Sequence, residues 1–175
     1  MNRKITQAAL RDTISSLRRA IPEMTLRTSV IVGFPGETEA AFEQLLAFLR
    51  EVQFERLGAF TYSHEEGSAS FRFPDQVSLL VKQTRFDRLM QLQQTIAADV
   101  NHRALGRTVE VLIDEADAND PTQFIGRTSA DCPEVDGVVF VNSPTPLDRG
   151  TLVPVRITDS YEYDLVGTTA TSTDH

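Results

Sequence analysis

The feature that most constrains this 175-residue chain is an apolar run that ends in a glycine-rich turn and leads into a helical pattern. The run from Thr28 to Val32 is β-branched and lacks clean polar–apolar alternation, which is typical of a parallel strand buried on both faces. Gly33-Phe34-Pro35-Gly36 breaks the run, and Thr38 is suited to cap the amphipathic helix that follows. A second strand from Arg56 to Tyr62 completes a β–α–β unit with strands expected to be parallel.

Two further helices flank this unit. Apolar residues spaced by three and four predict an amphipathic helix over residues 6–20, which Pro22 ends. After a polar loop, we expect Asp75 to cap a connecting helix over residues 75–103. Because one parallel strand pair leaves faces and edges uncovered, we interpret residues 1–74 as part of a larger α/β barrel. A second copy or another chain could also supply the missing strands.

The rest of the chain predicts β-structure only, as a small barrel over residues 104–170. Five short strands are separated by loops rich in Asp, Asn, Pro and Gly. They are expected at residues 108–113, 124–128, 138–141, 152–157 and 163–167. Five short strands in such a segment are typical of a small closed barrel of the OB type, which removes exposed strand edges. Residues 171–175 are expected to form a disordered tail.

Charge divides the chain at the same place. Residues 1–103 contain 13 Lys and Arg against 12 Asp and Glu, whereas residues 104–175 contain 4 Arg against 13 Asp and Glu, so that net charges of +1 and −9 make up the total of −8. A domain that grips nucleic acid must neutralise phosphates with Lys and Arg. We therefore expect the β-rich part to repel RNA and to attract a basic protein surface. The alternative is a merely well-solvated acidic surface that predicts no partner.

The composition also excludes several kinds of site. Cys132 is the only cysteine, so this chain alone forms neither an internal disulfide nor a zinc or iron–sulfur site from thiolates. The three histidines are scattered, and we expect no metal site in this chain. No run of eighteen apolar residues could span a membrane, and the N-terminal pattern is helical rather than that of a signal peptide, so we expect a cytoplasmic protein without membrane partners.

Several segments resemble one enzyme family. The segment from Arg27 to Thr38 is similar to the Gly-Phe-Pro-Gly-Glu-Thr signature of radical-SAM methylthiotransferases, and residues 60–67 resemble the end of the next strand in that family. Matching segments follow in the same order at residues 88–94, 111–114 and 126–127. The resemblance covers roughly residues 5–170. It implies the last strands and helices of a radical-SAM (β/α) barrel followed by a TRAM domain, the small five-stranded barrel that closes these enzymes.

Two acidic segments point to one branch of the family. Residues 131–137, Asp-Cys-Pro-Glu-Val-Asp-Gly, resemble an element of the RimO branch, as do residues 162–165. Members of that branch methylthiolate an aspartate of a small-subunit ribosomal protein. The resemblance implies a basic ribosomal small-subunit protein as partner, with Asp131, Glu134 and Asp136 as partner-binding residues. An acidic turn between two strands is the alternative for this segment.

The resemblance also implies cofactors. In the full-length family, a Cys-x3-Cys-x2-Cys motif holds a 4Fe–4S cluster that binds S-adenosylmethionine, and a second 4Fe–4S cluster takes part in sulfur transfer. None of these cysteines occurs here, so we expect no catalytic residue and no cluster ligand in this chain, and the missing N-terminal part of the enzyme as a partner. The remaining part of the S-adenosylmethionine pocket would comprise Ile31, Gly33, Phe34, Pro35, Gly36 and Glu37, together with the strand end from Phe60 to Ser63.

Simpler roles compete with ligand binding at this turn. Glycines at a strand-to-helix turn let a ligand approach backbone N–H groups, but they also serve a tight turn with positive φ. Glu37 could likewise cap the following helix or favour its N-terminus without any ligand.

Three functions fit the sequence, and whether the chain is itself an enzyme stays open. The first is the C-terminal portion of the ribosomal-protein methylthiotransferase. The second is a portion of the tRNA-modifying sister enzyme, against which the acidic barrel argues. The third is a non-catalytic TRAM module that binds a basic protein.

Overall fold

The computed structural model describes residues 5–170, and the chain divides after Phe86 into two compact units. The first unit contains α1 (Gln7–Ala20), β1 (Arg27–Val32), α2 (Glu39–Val52), β2 (Arg56–Thr61) and a short 3-10 helix (Ala69–Arg72). The long helix α3 (Leu79–His102) begins in the first unit and ends in the second. The 3-10 helix was not expected from the sequence.

Of the two capping residues predicted from the sequence, Thr38 is confirmed and Asp75 is not. Thr6 Oγ1 accepts the Ala9 N–H of α1, and Thr38 Oγ1 accepts the Ala41 N–H of α2, each at 3.2 Å. The prediction that Asp75 caps α3 is wrong. Asp75 has a φ of +58°, outside the extended region of an N-cap, and Ser78 Oγ accepts the Val81 N–H at the start of this helix instead.

The two strands of the first unit are parallel, as predicted, in a register that pairs Arg27 with Arg56 and Val32 with Thr61. The prediction that β1 is buried on both faces is wrong for this chain. Along β1 the side chains alternate, and the last residue Val32 is fully buried while Ile31 is 43% exposed. The exposed face carries Arg27, Ser29 and Ile31, and residues 5–170 cover only the opposite face. Within these residues, β1 and β2 hydrogen-bond only to each other.

The second unit is a closed barrel, which confirms the predicted five strands. They are β3 (Thr108–Ala116), β4 (Gln123–Arg127), β5 (Val139–Asn142), β6 (Leu152–Ser160) and β7 (Leu165–Thr169), in the spatial order β3-β4-β5-β7-β6. Only β5 and β7 run parallel. The last strand starts two residues later than predicted, because the Tyr161 N–H donates to the Asp164 carbonyl and closes a turn there. The predicted tail lies outside the described residues.

The barrel core is formed by side chains from all five strands. Its buried members are Val111, Ile113, Phe124, Val139, Val141, Val155, Ile157 and Leu165. Register shifts in β3 and β6 bend these strands where the barrel closes. A Cβ on Gly126 would lie 2.5 Å from the Leu112 carbonyl oxygen, so this position requires glycine for close strand packing. In residues 5–170, no helix combines the length and apolar character needed to cross a membrane.

Candidate ligand and partner sites

Backbone N–H groups of the glycine-rich turn between β1 and α2 are hydrogen-bonded within the protein. Gly33 and Gly36 have φ values of +76° and +81°, which explains glycine at both positions. The Gly33 N–H donates to Glu37 Oε1 at 3.0 Å, and the Gly36 N–H donates to the Asp75 carbonyl at 2.9 Å. The Glu37 N–H in turn donates to the Phe34 carbonyl at 2.9 Å. Three N–H groups of the turn are therefore already bonded, and an anionic ligand would compete with Glu37 for the first.

Glu37 is held in place by a buried arginine. Arg85 Nη1 lies 2.7 Å from Glu37 Oε1 and also donates to the Glu37 carbonyl at 3.0 Å. The side chains of Arg85 and Glu37 are 6% and 14% exposed. The guanidinium also lies 5.5 Å from the centre of the Phe42 ring. The Glu37 side chain therefore links the turn to α3 through Arg85 and does not extend into solvent.

A second buried cation from α3 supports the end of the neighbouring strand. Lys82 is 4% exposed, and its Nζ donates to the Tyr62 carbonyl at 2.8 Å and lies 4.8 Å from the centre of the Tyr62 ring. A Cβ on Gly33 would collide with the Lys82 side chain. Sequence reasoning missed Lys82 and Arg85. Their spacing of three residues on the predicted helix places them on one face, and this was the available signal.

The predicted pocket residues therefore fall into two groups. Ile31 and Phe60 are paired in the register of the two strands, and their side chains, 43% and 58% exposed, lie on the uncovered face of the sheet. Phe34 instead packs edge-on against Tyr62, with ring centres 5.2 Å apart. Pro35 is partly buried within the turn. The exposed part of the site is therefore a small apolar surface, formed by Ile31 and Phe60 near the carboxyl ends of β1 and β2.

The predicted partner-binding residues lie in the loop between β4 and β5. Asp131 Oδ2 accepts hydrogen bonds from the Thr128 N–H and hydroxyl, at 3.1 and 2.6 Å. Asp136 Oδ2 accepts the Cys132 N–H at 2.6 Å. Both carboxylates thus help to fix the loop. Glu134 is exposed, with a φ of +61°, so it presents the most accessible of the three predicted carboxylates.

This loop abuts the loop between β6 and β7. The Val138 N–H donates to Asp164 Oδ1 at 2.8 Å, and the Leu165 N–H donates to the Val138 carbonyl at 2.9 Å. A Cβ on Gly137 would collide with the Tyr163 carbonyl oxygen, so the close approach of the two loops requires this glycine. Burial raises the pKa of the Tyr163 phenol, and the nearby Glu162 carboxylate raises it further.

The four arginines of the barrel do not cluster in sequence or on one strand. They are Arg107 before β3, Arg127 in β4, Arg149 in the loop between β5 and β6, and Arg156 in β6. The Arg127 guanidinium is ion-paired with Asp114. With thirteen carboxylates in residues 104–175 and no lysine, the barrel carries a strongly negative charge.

Comparison with known proteins matches this arrangement to a family. Residues 105–169 match the TRAM domain family model. The ribosomal protein uS12 methylthiotransferase RimO of Clostridioides difficile is 46% identical over 167 residues, which are 95% of this chain and 37% of that protein. The RimO proteins of Desulforamulus reducens and Cellvibrio japonicus are 44% and 48% identical, over 95% and 90% of this chain and 38% and 34% of their own lengths. The chain corresponds to the C-terminal part of RimO-type proteins.

The match to the RimO family covers both units of this chain but little more than a third of the relatives. The clusters that the family implies do not fit the side chains present here. Within residues 5–170, no group of three or more His, Cys, Asp and Glu side chains is placed to hold a metal ion. The single Cys132 is exposed in the loop between β4 and β5. Ligands for either 4Fe–4S cluster would have to come from outside this segment.

Proposed function

We propose that this chain is the C-terminal portion of an enzyme that methylthiolates an aspartate of ribosomal protein uS12. The observation that carries the proposal is the RimO similarity, which extends over 95% of the chain and therefore includes both the incomplete sheet and the acidic barrel. In this proposal the first unit supplies the last strands of a radical-SAM barrel, and the TRAM barrel recognises the basic protein substrate. The setting for such a reaction is the cytoplasm.

The uncovered face of the first unit supports a role in S-adenosylmethionine binding. When bound, this cofactor supplies the methyl group of the product and serves as the radical source of the family. The exposed Ile31 and Phe60 offer an apolar surface suited to its adenosyl part. The turn beside that surface consists of Gly33, Phe34, Pro35, Gly36 and Glu37. Arg85 holds this turn in place, and Lys82 holds the adjoining end of β2.

The charge of the barrel supports a protein rather than an RNA substrate. Thirteen carboxylates against four arginines in residues 104–175 would repel a phosphate backbone. A ribosomal protein presents many Lys and Arg side chains, so that long-range attraction would speed its encounter with this surface. Glu134, with Asp131 and Asp136 beside it, is part of the acidic surface proposed to meet uS12.

A chimeric enzyme tests this function directly. The matching segment of the Clostridioides difficile RimO protein is replaced by this chain, and purified uS12 is analysed by mass spectrometry after reaction. We expect methylthiolation of one uS12 aspartate, as with the unaltered enzyme. Unmodified uS12 from a folded chimera with intact clusters would contradict the proposal, and modified tRNA in its place would indicate the sister activity.

The gene sequence upstream of Met1 distinguishes a portion of an enzyme from an independent binding module. We expect the reading frame upstream of Met1 to continue into a Cys-x3-Cys-x2-Cys motif. A stop codon directly upstream, without such a motif in an adjacent frame, would favour a TRAM module that binds a basic protein and performs no chemistry.

A further inference from the structure

Exposed large apolar side chains of the barrel are concentrated on two adjoining loops. Among the described residues of the second unit, such side chains are Val135, Leu152, Tyr161 and Tyr163. All but Leu152 lie in the loops that follow β4 and β6, and Tyr161 and Tyr163 are 54% and 44% exposed. Single exposed apolar residues are ordinary on a protein surface, whereas a group of them marks an interaction site.

A groove lined in part by Tyr161 lies between the end of α3 and the loop that follows β6. It is lined by Ala98, Asp99, His102, Ser160, Tyr161 and Glu162, and we call it the tyrosine–acid groove. Its wall is fixed by Asn101, which is 3% exposed. The Asn101 amide donates to the Tyr161 and Glu162 carbonyls at 3.2 and 3.3 Å. Because the backbone is already held, binding here would require little ordering of the loop.

The groove combines negative charge with an aromatic face. Asp99 and Glu162 contribute two carboxylates, and no Lys or Arg is among the lining residues. The contact that the structure gives for the Glu162 carboxylate is a long one, 3.5 Å from the Gln94 amide. A tyrosine ring beside carboxylates suits a Lys or Arg side chain, which gains both cation–π and ionic interactions. A nucleic acid could stack on the tyrosine but would meet the carboxylates with its phosphates.

We propose that the tyrosine–acid groove receives a Lys or Arg side chain from an extended basic segment of the protein substrate, with Tyr161 against the cation and Asp99 and Glu162 as its ionic partners. The inference rests on the proposed function, since uS12 is the basic protein named there, and it adds the part of the barrel that binds it. The loop that carries Tyr161 is also bonded to the loop that contains Glu134, through the Val138 N–H and Asp164 Oδ1.

Binding of purified uS12 to the 175-residue chain tests this groove by titration calorimetry at two salt concentrations. Tyr161→Leu should weaken binding about two- to five-fold, which is the usual range of an exposed cation–π contact. The double variant Asp99→Asn, Glu162→Gln should weaken it about tenfold and reduce its salt dependence. Leu152→Ala and Glu110→Gln are matched controls, since both residues are exposed on strands outside the groove, and should bind as the unsubstituted chain does.

The outcomes separate this inference from the function on which it rests. Unchanged uS12 binding by both groove variants, with a loss for Glu134→Gln, would overturn the groove while leaving uS12 as the partner. No uS12 binding by the unsubstituted chain would overturn both. Tighter binding of a tRNA probe, lost in Tyr161→Leu, would overturn the choice of a protein ligand. Thermal unfolding of each variant identifies any that lose binding through misfolding, and Tyr161→Phe, which keeps the aromatic face, should then restore binding.

Discussion

The two units of this chain differ in how completely their strands are paired. In the barrel, every strand pairs with two neighbours, and the apolar side chains of all five strands meet in one closed core. In the first unit, two parallel strands pair only with each other among the described residues, and Ile31 and Phe60 remain exposed on one face of the sheet. Among the described residues the barrel is closed, whereas the sheet has two strands, which we propose are part of a larger barrel.

This difference shows where each unit obtains its stability. The barrel depends on backbone pairing around a closed ring. The first unit also buries apolar side chains, among them Val32, Phe42 and Leu46. In addition it has buried polar contacts that join distant segments, above all the Arg85–Glu37 pair and the Lys82–Tyr62 hydrogen bond. Ion pairs and hydrogen bonds of this kind hold the turn and the strand end in position, but they contribute less net stability than a packed apolar core. We therefore expect the units to respond differently to the same kind of change.

Separating the units should produce the largest effect. Residues 104–170 expressed alone should remain monomeric and unfold cooperatively, because their core is closed. Residues 1–75 alone should aggregate, because their strand edges are unpaired and the α3 residues that fasten the turn are lost. Size-exclusion chromatography with light scattering and two-dimensional NMR measure both outcomes. A monomeric 1–75 fragment with a well-dispersed spectrum would contradict the incomplete-barrel interpretation.

Removing the buried arginine should strongly destabilise the first unit. Arg85→Ala leaves the Glu37 carboxylate buried without its cation, and removing one partner of a buried pair costs about 3–5 kcal/mol. Urea unfolding of the full chain should show this loss in the first unit while the barrel transition stays in place. Arg11→Ala is the matched control, since its ion pair with Glu51 is at the surface and its loss should have a much smaller effect.

A single methyl group should distinguish the closely packed barrel from the open turn. Gly126→Ala places a Cβ against the Leu112 carbonyl and should lower the free energy of unfolding of the barrel by about 1–3 kcal/mol. Gly36→Ala has open space around it and carries only the cost of a left-handed backbone, about 1 kcal/mol. Equal effects of the two substitutions in thermal unfolding would mean that the barrel strands can move apart.

The smallest expected effect is a pH dependence in the loop between β3 and β4. A hydrogen bond from the Thr122 hydroxyl, with a second from its N–H, lowers the pKa of Asp120 from its ordinary value of 3.8. Since the folded pKa is the lower one, this contribution is complete above 3.8 and is lost as the pH falls through the folded value. Asp120→Asn should flatten the acid limb of the barrel's urea midpoint slightly. Thr122→Val should do the same, and an unchanged limb in both would contradict this assignment.

Local sequence patterns predicted most of the fold because they reflect local physics. Thr38 caps α2, and five short apolar strands separated by turn residues can close only by pairing with one another. The start of α3 was misplaced because Ser78 and Asp75 are both suitable caps, and only the backbone angles separate them. Burial of β1 on both faces was misjudged because the pattern describes what a strand needs and not what this chain supplies.

The candidate sites were less accessible to sequence reasoning. Ile31 and Glu134 were proposed as site residues because their segments resemble those of a known family, and the structure shows that both are exposed. The contacts of Glu37 with Arg85 join residues 48 positions apart, so no local pattern indicates them. The tyrosine–acid groove likewise combines the end of α3 with a turn about sixty residues later, which the fold alone brings together.

Strand β7, which pairs in parallel with β5, matters for more than the stability of the barrel. The last strand closes the ring, and the turn before it carries Tyr161, Glu162 and Asp164, the residue that bonds to Val138. A premature stop or a proteolytic cut near residue 160 would thus remove structural closure and the proposed docking surface in one event. Nonsense alleles that stop translation within this turn should therefore lose the folded barrel together with the proposed docking surface.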